Sequence, residues 1–316
     1  MRLLTALALA GLISHTTALT VAATLNVVEY TPILLARDSF YNATNITITN
    51  GGVPSLFAAS HPDLAGNAET QALRNFATHK NLRIIYTIAE VAYRLVASKK
   101  AGVTTLADLK GKKIGSSPST SAAYFVEKLL RTAALEPGDY TIVSGGICNT
   151  PPCAASSLPG LLASGAVDAV GLWEPTLQHA IEAIGADAVT FQNRTVYREI
   201  YNLHSTAEKL ADPATRKNIV EFLRGLNKAE KVFQDTPDSV YARVSAAVNV
   251  SAPTLKAVWA DHDWSGPRGL PKDLLDVLVE EDKWIGRVEK REPMSREVLS
   301  GLIDESVFKE AFPNGA

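Results

Sequence analysis

Through the first two-thirds of the chain, short apolar runs rich in β-branched residues alternate with amphipathic stretches. Runs of four to eight such residues read as buried strands. They fall at residues 25–30, 82–88, 94–98, 113–116, 140–144, 166–172 and 188–191. Helical periodicity lies between them. Residues 68–80 place Leu73, Phe76 and Ala77 on one face, and residues 122–134 place Phe125, Val126, Leu129, Leu130 and Ala133 on another. Shorter helices are expected at 158–164 and 177–184. Strands alternating with helices of this length predict βαβ units around mostly parallel sheets.

The last third changes character. Asp212-Pro213 is an N-cap followed by a proline suited to the first helical turn. Ile219, Phe222, Leu223, Leu226 and Phe233 then repeat at helical spacing. Further helices are expected from Thr236-Pro237, from Ser251, over 271–288 and over 294–312, with almost no strand signal after Ala211.

Composition agrees with a globular protein: 316 residues, 46% hydrophobic and 20% charged, are enough to bury a sizeable core without a metal or a disulfide. A net charge of −2 with interspersed signs gives no reason to expect nucleic acid or an anionic membrane as partner. Met1-Arg2 followed by the apolar run 3–13 and then small residues has the layout of a secretory signal peptide. That run is too short to span a bilayer. Cleavage after Ala18 or Ala23 would leave Leu25 to Val28 in the first strand. The expected division is 1–23 signal peptide, 24–96 with 196–316 one lobe, and 97–195 the other. Cys148 and Cys153 are the two cysteines; in an oxidising compartment they are expected to form a structural disulfide, two free buried thiols being the alternative. Asn42, Asn45, Asn193 and Asn249 each open an Asn-x-Ser/Thr sequon, which fits secretion of a glycoprotein.

Two segments are more specific. The stretch from Val103 through Asp108-Leu-Lys-Gly-Lys112 to Ser117 resembles the interdomain segment of type II periplasmic solute-binding proteins. The branch includes sulfonate, taurine and nitrate binders and the thiamine-pyrimidine precursor (THI5/NMT1-like) proteins. Leu161-Leu-Ala-Ser-Gly-Ala-Val-Asp-Ala-Val-Gly-Leu-Trp-Glu-Pro175 resembles a second segment of that family, and the tail Leu302 to Ala311 is similar in pattern. The resemblance implies two doubly wound α/β lobes joined by two crossings, with the helical C-terminal third packed on the first lobe. It also implies a ligand held between the lobes at the carboxyl ends of the strands, and hinge closure on binding.

On that frame, candidate ligand-binding residues follow strand ends. Ser117, Ser119, Thr120 and Ser121 supply hydroxyls at a helix start, where capping is the competing role. Asn67, Glu69 and Thr70 lie on the turn that the family uses on the first lobe's side; Glu69 would favour an amine or hydroxyl. Trp173 offers a stacking face and Glu174 a carboxylate for a cation, unless Trp173 packs at the hinge. Tyr30 should point into the crevice, and Glu29 to the opposite side of a regular strand. No Arg stands near Ser116 to Ser121 to complete an anion clamp. Asp261-His262-Asp263 reads as a solvated loop rather than a metal site.

The expected protein is a secreted monomer that captures a small polar or anionic metabolite, without catalytic residues, cofactor, metal, nucleic-acid partner or membrane insertion. A membrane transporter is the further partner that the resemblance implies. A secreted enzyme using the same cleft, and a surface-interaction protein, are the alternatives.

Overall fold

The computed structural model describes residues 18–264 and 269–315. The apolar leader at residues 3–13 lies outside the described residues. In chain order the first body of structure runs β1 (Leu19–Ala23), α1 (Thr31–Leu35), β2 (Ile46–Asn50), β3 (Leu64–Ala68), α2 (Glu69–Phe76) and β4 (Leu82–Val91). The second runs β5 (Arg94–Ser98), β6 (Lys113–Ser116), α3 (Ser121–Arg131), β7 (Thr141–Ser144), α4 (Leu158–Ala163), β8 (Ala169–Leu172), α5 (Thr176–Ile184) and β9 (Ala188–Phe191). The chain then returns through β10 (Glu199–Thr206), α6 (Ala207–Ala211), α7 (Pro213–Asp235), α8 (Tyr241–Val248), α9 (Ala252–Val258), β11 (His262–Asp263), α10 (Leu274–Glu289), α11 (Arg296–Ser300) and α12 (Ser306–Ala311).

Two sheets result, in the orders β11-β4-β10-β3-β1-β2 and β7-β6-β8-β5-β9. They are mixed rather than wholly parallel. β1 runs parallel to β2 and β3, and β6 parallel to β7 and β8. β10 is antiparallel to β3 and β4, and β5 is antiparallel to β8 and β9. The reversal has a topological cause: β5 and β10 are the strands entered just after the chain crosses between sheets. Each starts at the crevice, where the antiparallel strands beside it end. The amino ends of β5 and β10 therefore face the same space as the carboxyl ends of β1, β3, β4, β6 and β8.

Three expectations need correction. The strand expected at 25–30 is not formed; β1 precedes it, and Val28–Tyr30 is a 3₁₀ turn leading into α1, whose second residue is Pro32. Proline presets the backbone for a first helical turn, so the chain bends there instead of extending. The single helix expected over 294–312 is two. Between them the Ile84 amide donates to the Leu302 carbonyl (2.7 Å) and the Asp304 amide to the Ile84 carbonyl (2.9 Å), a bridge to β4 that a helix cannot make. Asp261-His262-Asp263 is not a solvated loop: it closes a 3₁₀ turn and forms β11 on β4, with His262 and Trp264 buried.

Capping follows the sequence signals. Asp212 accepts from the Thr215 amide at the start of α7, and Ser251 from the Thr254 amide at α9. The buried face of α7 packs on α1 and β1, and α10 packs on α2. Behind the crevice Tyr93, in the first crossing, meets Tyr197 of the second edge-on (5.3 Å between centroids), and both meet Phe125 of α3. Among the described residues no helix is long and apolar enough to cross a membrane. Cys148 and Cys153 are joined in a disulfide.

Candidate functional site

A cavity of about 190 Å³ opens between the two sheets. The first sheet's side contributes Thr24 and Val27 beyond β1, Glu29 of the 3₁₀ turn, Asn67 and Ala68 at the end of β3, Thr70 and Gln71 of α2, and Glu199 and Tyr201 of β10. The second contributes Thr120 and Ser121 at the start of α3 and Trp173 beyond β8. Pockets for drug-sized ligands run from roughly 300 Å³ upward, so the occupant here is smaller, of the order of one ring or a short chain.

Asn67 owes its place to a glycine. A Cβ on Gly52 would come within 2.2 Å of the Asn67 Nδ2, so any larger residue would displace the amide. The Asn67 Oδ1 accepts from the Ala68 amide (2.8 Å), and its Nδ2 lies against Gly52. On the opposite wall Thr120 caps α3: its hydroxyl accepts from the Ala122 amide and donates to the Ser117 carbonyl. The Ser121 hydroxyl lies 3.1 Å from the Tyr93 hydroxyl. Trp173 is partly exposed.

The cavity is acidic. Glu29 is 1% and Glu199 6% exposed, and among the described residues lining the space there is no Lys, Arg or His. Burial pushes the Glu199 carboxyl well above the usual range, and the nearby Glu29 and Glu69 charges push it further. The Glu29 Oε1 lies 3.7 Å from the Nε2 of His262, whose Nδ1 meets the Val258 carbonyl at 3.0 Å. Burial alone would lower the His262 imidazole, but Glu29, Val258 and Asp261 more than offset it and its pKa is raised. The Glu29 Oε2 is buried with no hydrogen-bond partner.

The structure thus gathers Asn67, Thr70, Thr120, Ser121 and Trp173 from the sequence-predicted set around one cavity. The others lie elsewhere. Tyr30 is buried at the head of α1. Glu69 sits behind the cavity wall, accepting from the Tyr197 hydroxyl (2.7 Å) and the Ile200 amide (2.8 Å). Ser117 and Ser119 lie in the turn before α3; the Ser119 carbonyl accepts from Arg74. Glu174 is 3% exposed and turned toward Arg94, which donates to its Oε1 at 2.8 and 2.6 Å. Glu29, Glu199 and Tyr201 were not expected here. Glu29 comes from a turn where a strand was read, so its side chain points inward rather than away.

Comparison with known proteins places this geometry. A family profile described as NMT1/THI5 like matches residues 31–240. No curated protein matches the sequence. Among solved structures, the chain is similar to the alkanesulfonate-binding protein SsuA from Xanthomonas axonopodis pv. citri bound to MOPS. The TM-score is 0.69 at 16% identity, over 91% of this chain and 98% of that one. It is similar to the Candida albicans CA3427 product, described as having the generic periplasmic binding protein fold. There the TM-score is 0.62 at 15% identity, over 92% and 96% of the two chains. The desulfurization enzyme DSZB shares the fold as well, with a TM-score of 0.64 at 14% identity over 94% and 99%. With two sheets, two crossings and an interlobe cavity, the fold is that of the periplasmic binding proteins, and by the match over two-thirds of its length the chain belongs to the NMT1/THI5-like family.

Proposed function

We propose that the protein is a secreted solute-binding protein that captures a small metabolite between its two sheet-bearing bodies and closes on it by a hinge motion. The observation that carries this reading is the cavity, whose wall is contributed by both sheets. A ligand touching Asn67 and Trp173 at once is held best when the two bodies approach, so binding favours the closed arrangement. The crossings at residues 92–93 and 192–198 are the hinge in this reading.

Secretion is supported by the signal-like leader. It is also supported by the exposure of all four sequon asparagines, Asn42, Asn45, Asn193 and Asn249. Of the two cleavage points, the one after Ala18 keeps β1, which pairs with both β2 and β3; cleavage after Ala23 would remove it. Delivery to a membrane transporter is part of the same proposal, by likeness to the fold's bacterial members.

A secreted enzyme is the second reading. It is favoured by the raised carboxyl of Glu199 beside Glu29 in the cavity, and by the shared fold of DSZB. Both cysteines of this chain are bonded to each other, so thiol chemistry has no group here to act through.

The test is a thermal-shift screen of the secreted protein against sulfonates, nitrate, amino acids, amines and pyrimidines, followed by recovery of the bound compound. A ligand at a hundredfold its Kd adds about 2.7 kcal/mol of stability. A saturable shift with the compound recovered unchanged is the expected result. Conversion of the compound would establish the enzyme reading, and no shift with any class would overturn small-molecule binding.

A further inference from the structure

We propose that the cavity takes a small organic cation, an ammonium or amidinium with at least two N–H donors, clamped between Glu29 and Glu199, and that it rejects sulfonates. The inference rests on the solute-binding reading and names the ligand class of the same site.

Glu29 lines this cavity, and its Oε2 is buried with no partner within hydrogen-bond distance. A buried carboxylate oxygen left without a donor is costly, and the cavity that Glu29 lines has room for a donor. Glu199 faces the same space from β10. The nearby arginines are engaged elsewhere. Arg94 is bound to Glu174 and Asp261, and Arg74 to Glu289 and the Ser119 carbonyl. His262 stands behind Glu29, outside the cavity lining, and one imidazolium cannot balance two carboxylates.

The carboxyls facing Glu199, Glu29 from the 3₁₀ turn and Glu69 from α2, add to the requirement, while the Tyr93 hydroxyl from the first crossing offsets part of it. A cation arriving between Glu29 and Glu199 relieves this repulsion. A sulfonate would meet like charges with no donor cation. Trp173 and Tyr201 line the same cavity, and aromatic rings suit a cation's alkyl or flat body.

The experiment is calorimetric titration of the full secreted chain with putrescine and benzamidine. Matched neutral compounds (1,4-butanediol and benzyl alcohol) and matched anions (butanesulfonate and benzenesulfonate) are titrated alongside. At least one cation is expected to bind tenfold or more tightly than its neutral and anionic counterparts. Glu199→Gln and Glu29→Gln should each weaken that cation by tenfold or more, and Glu199→Gln should melt no lower than wild type, since it relieves the crowding of carboxyls and keeps the shape. If one variant fails to fold, the other carries the comparison. A sulfonate or neutral compound binding as well as its cation, or a cation indifferent to both variants, overturns the charge assignment and leaves solute binding standing. No binding by any of the three charge classes counts against the solute-binding reading itself, and the inference falls with it.

Discussion

Arg94 opens β5 at the point where the chain first enters the second sheet, and its removal should be expensive. Its guanidinium donates twice to the Glu174 Oε1, at 2.8 and 2.6 Å, and again to Gln178 at 3.2 Å. It also lies 3.3 Å from Asp261, which reaches the hinge from the C-terminal third. The side chains of Arg94 and Glu174 are 13% and 3% exposed. Arg94→Met would keep much of the packing and leave Glu174 with one donor, the Gln178 amide at 3.0 Å. Breaking a buried pair by removing one partner costs about 3–5 kcal/mol, because the remaining charge stays buried.

The sign of the pH dependence follows. Burial already raises the Glu174 carboxyl even with Arg94 beside it. Without Arg94 the folded-state value rises further above that of the unfolded chain. The penalty is therefore full above the folded pKa and shrinks as pH falls toward the ordinary carboxylate range, where Glu174 takes up a proton. Urea unfolding followed by tryptophan fluorescence should show Arg94→Met losing about 3–5 kcal/mol at neutral pH and less near pH 5. Adding Glu174→Gln should recover part of the loss. A loss below about 1 kcal/mol, the range of an exposed ion pair, or one that does not vary with pH, would refute the reasoning.

Other perturbations have defined outcomes. Replacing Cys148 and Cys153 with serine opens a six-residue loop and should cost about 2 kcal/mol by loop entropy, measured as a fall in the urea midpoint. His204 is fully buried, with its pKa lowered to about 4 by burial. Its neutral form stabilises the fold fully above the unfolded value of 6.5, and about 3 kcal/mol of this is lost as pH falls to about 4. His204→Gln should remove that part of the acid-side slope, and an unchanged slope would contradict it. Gly160→Ala would set a Cβ 2.4 Å from the Ala154 carbonyl oxygen, so it should destabilise by about 1–3 kcal/mol in thermal unfolding, whereas a neutral change would mean that the 154–160 loop yields freely.

The fold was more legible than the site. β5, β6 and β9 begin and end where their apolar runs do, and the N-caps at Asp212 and Ser251 are where capping chemistry puts them. β10 escaped notice because its polar residues are not on a solvent face. Asn202 bonds Thr87 and the Ile200 carbonyl, His204 the Ala65 carbonyl, and Ser205 the Asp63 carbonyl, so all eight residues are buried. Alternation of polar and apolar residues reads as a half-wet strand only when the polar side lacks internal partners. β1 was obscured by its nearness to the leader.

At the site, Thr120 and Trp173 could be named because each follows a strand that ends at a crevice, and Asn67 because the family resemblance puts that stretch beside the cleft. Glu29 and Glu199 could not. The first depends on a turn set by Pro32, and the second on the reversal of β10, which is a property of the chain crossing rather than of any local pattern. Cavities built by topology and long-range packing leave little trace in residue spacing.

The central claim, that the cavity between the sheets is where a small ligand sits, is tested most directly at Val27. This residue lines the cavity from an irregular segment and is partly exposed, so a large side chain there should fill the space without disturbing a strand or helix. Binding isotherms of the best thermal-shift compound should be measured on the wild-type protein and on Val27→Trp. The expected result is one site per chain in the wild type and a hundredfold or greater loss in the variant, at an unchanged melting temperature. A variant that folds normally and binds as tightly as wild type would place the ligand elsewhere and contradict the account.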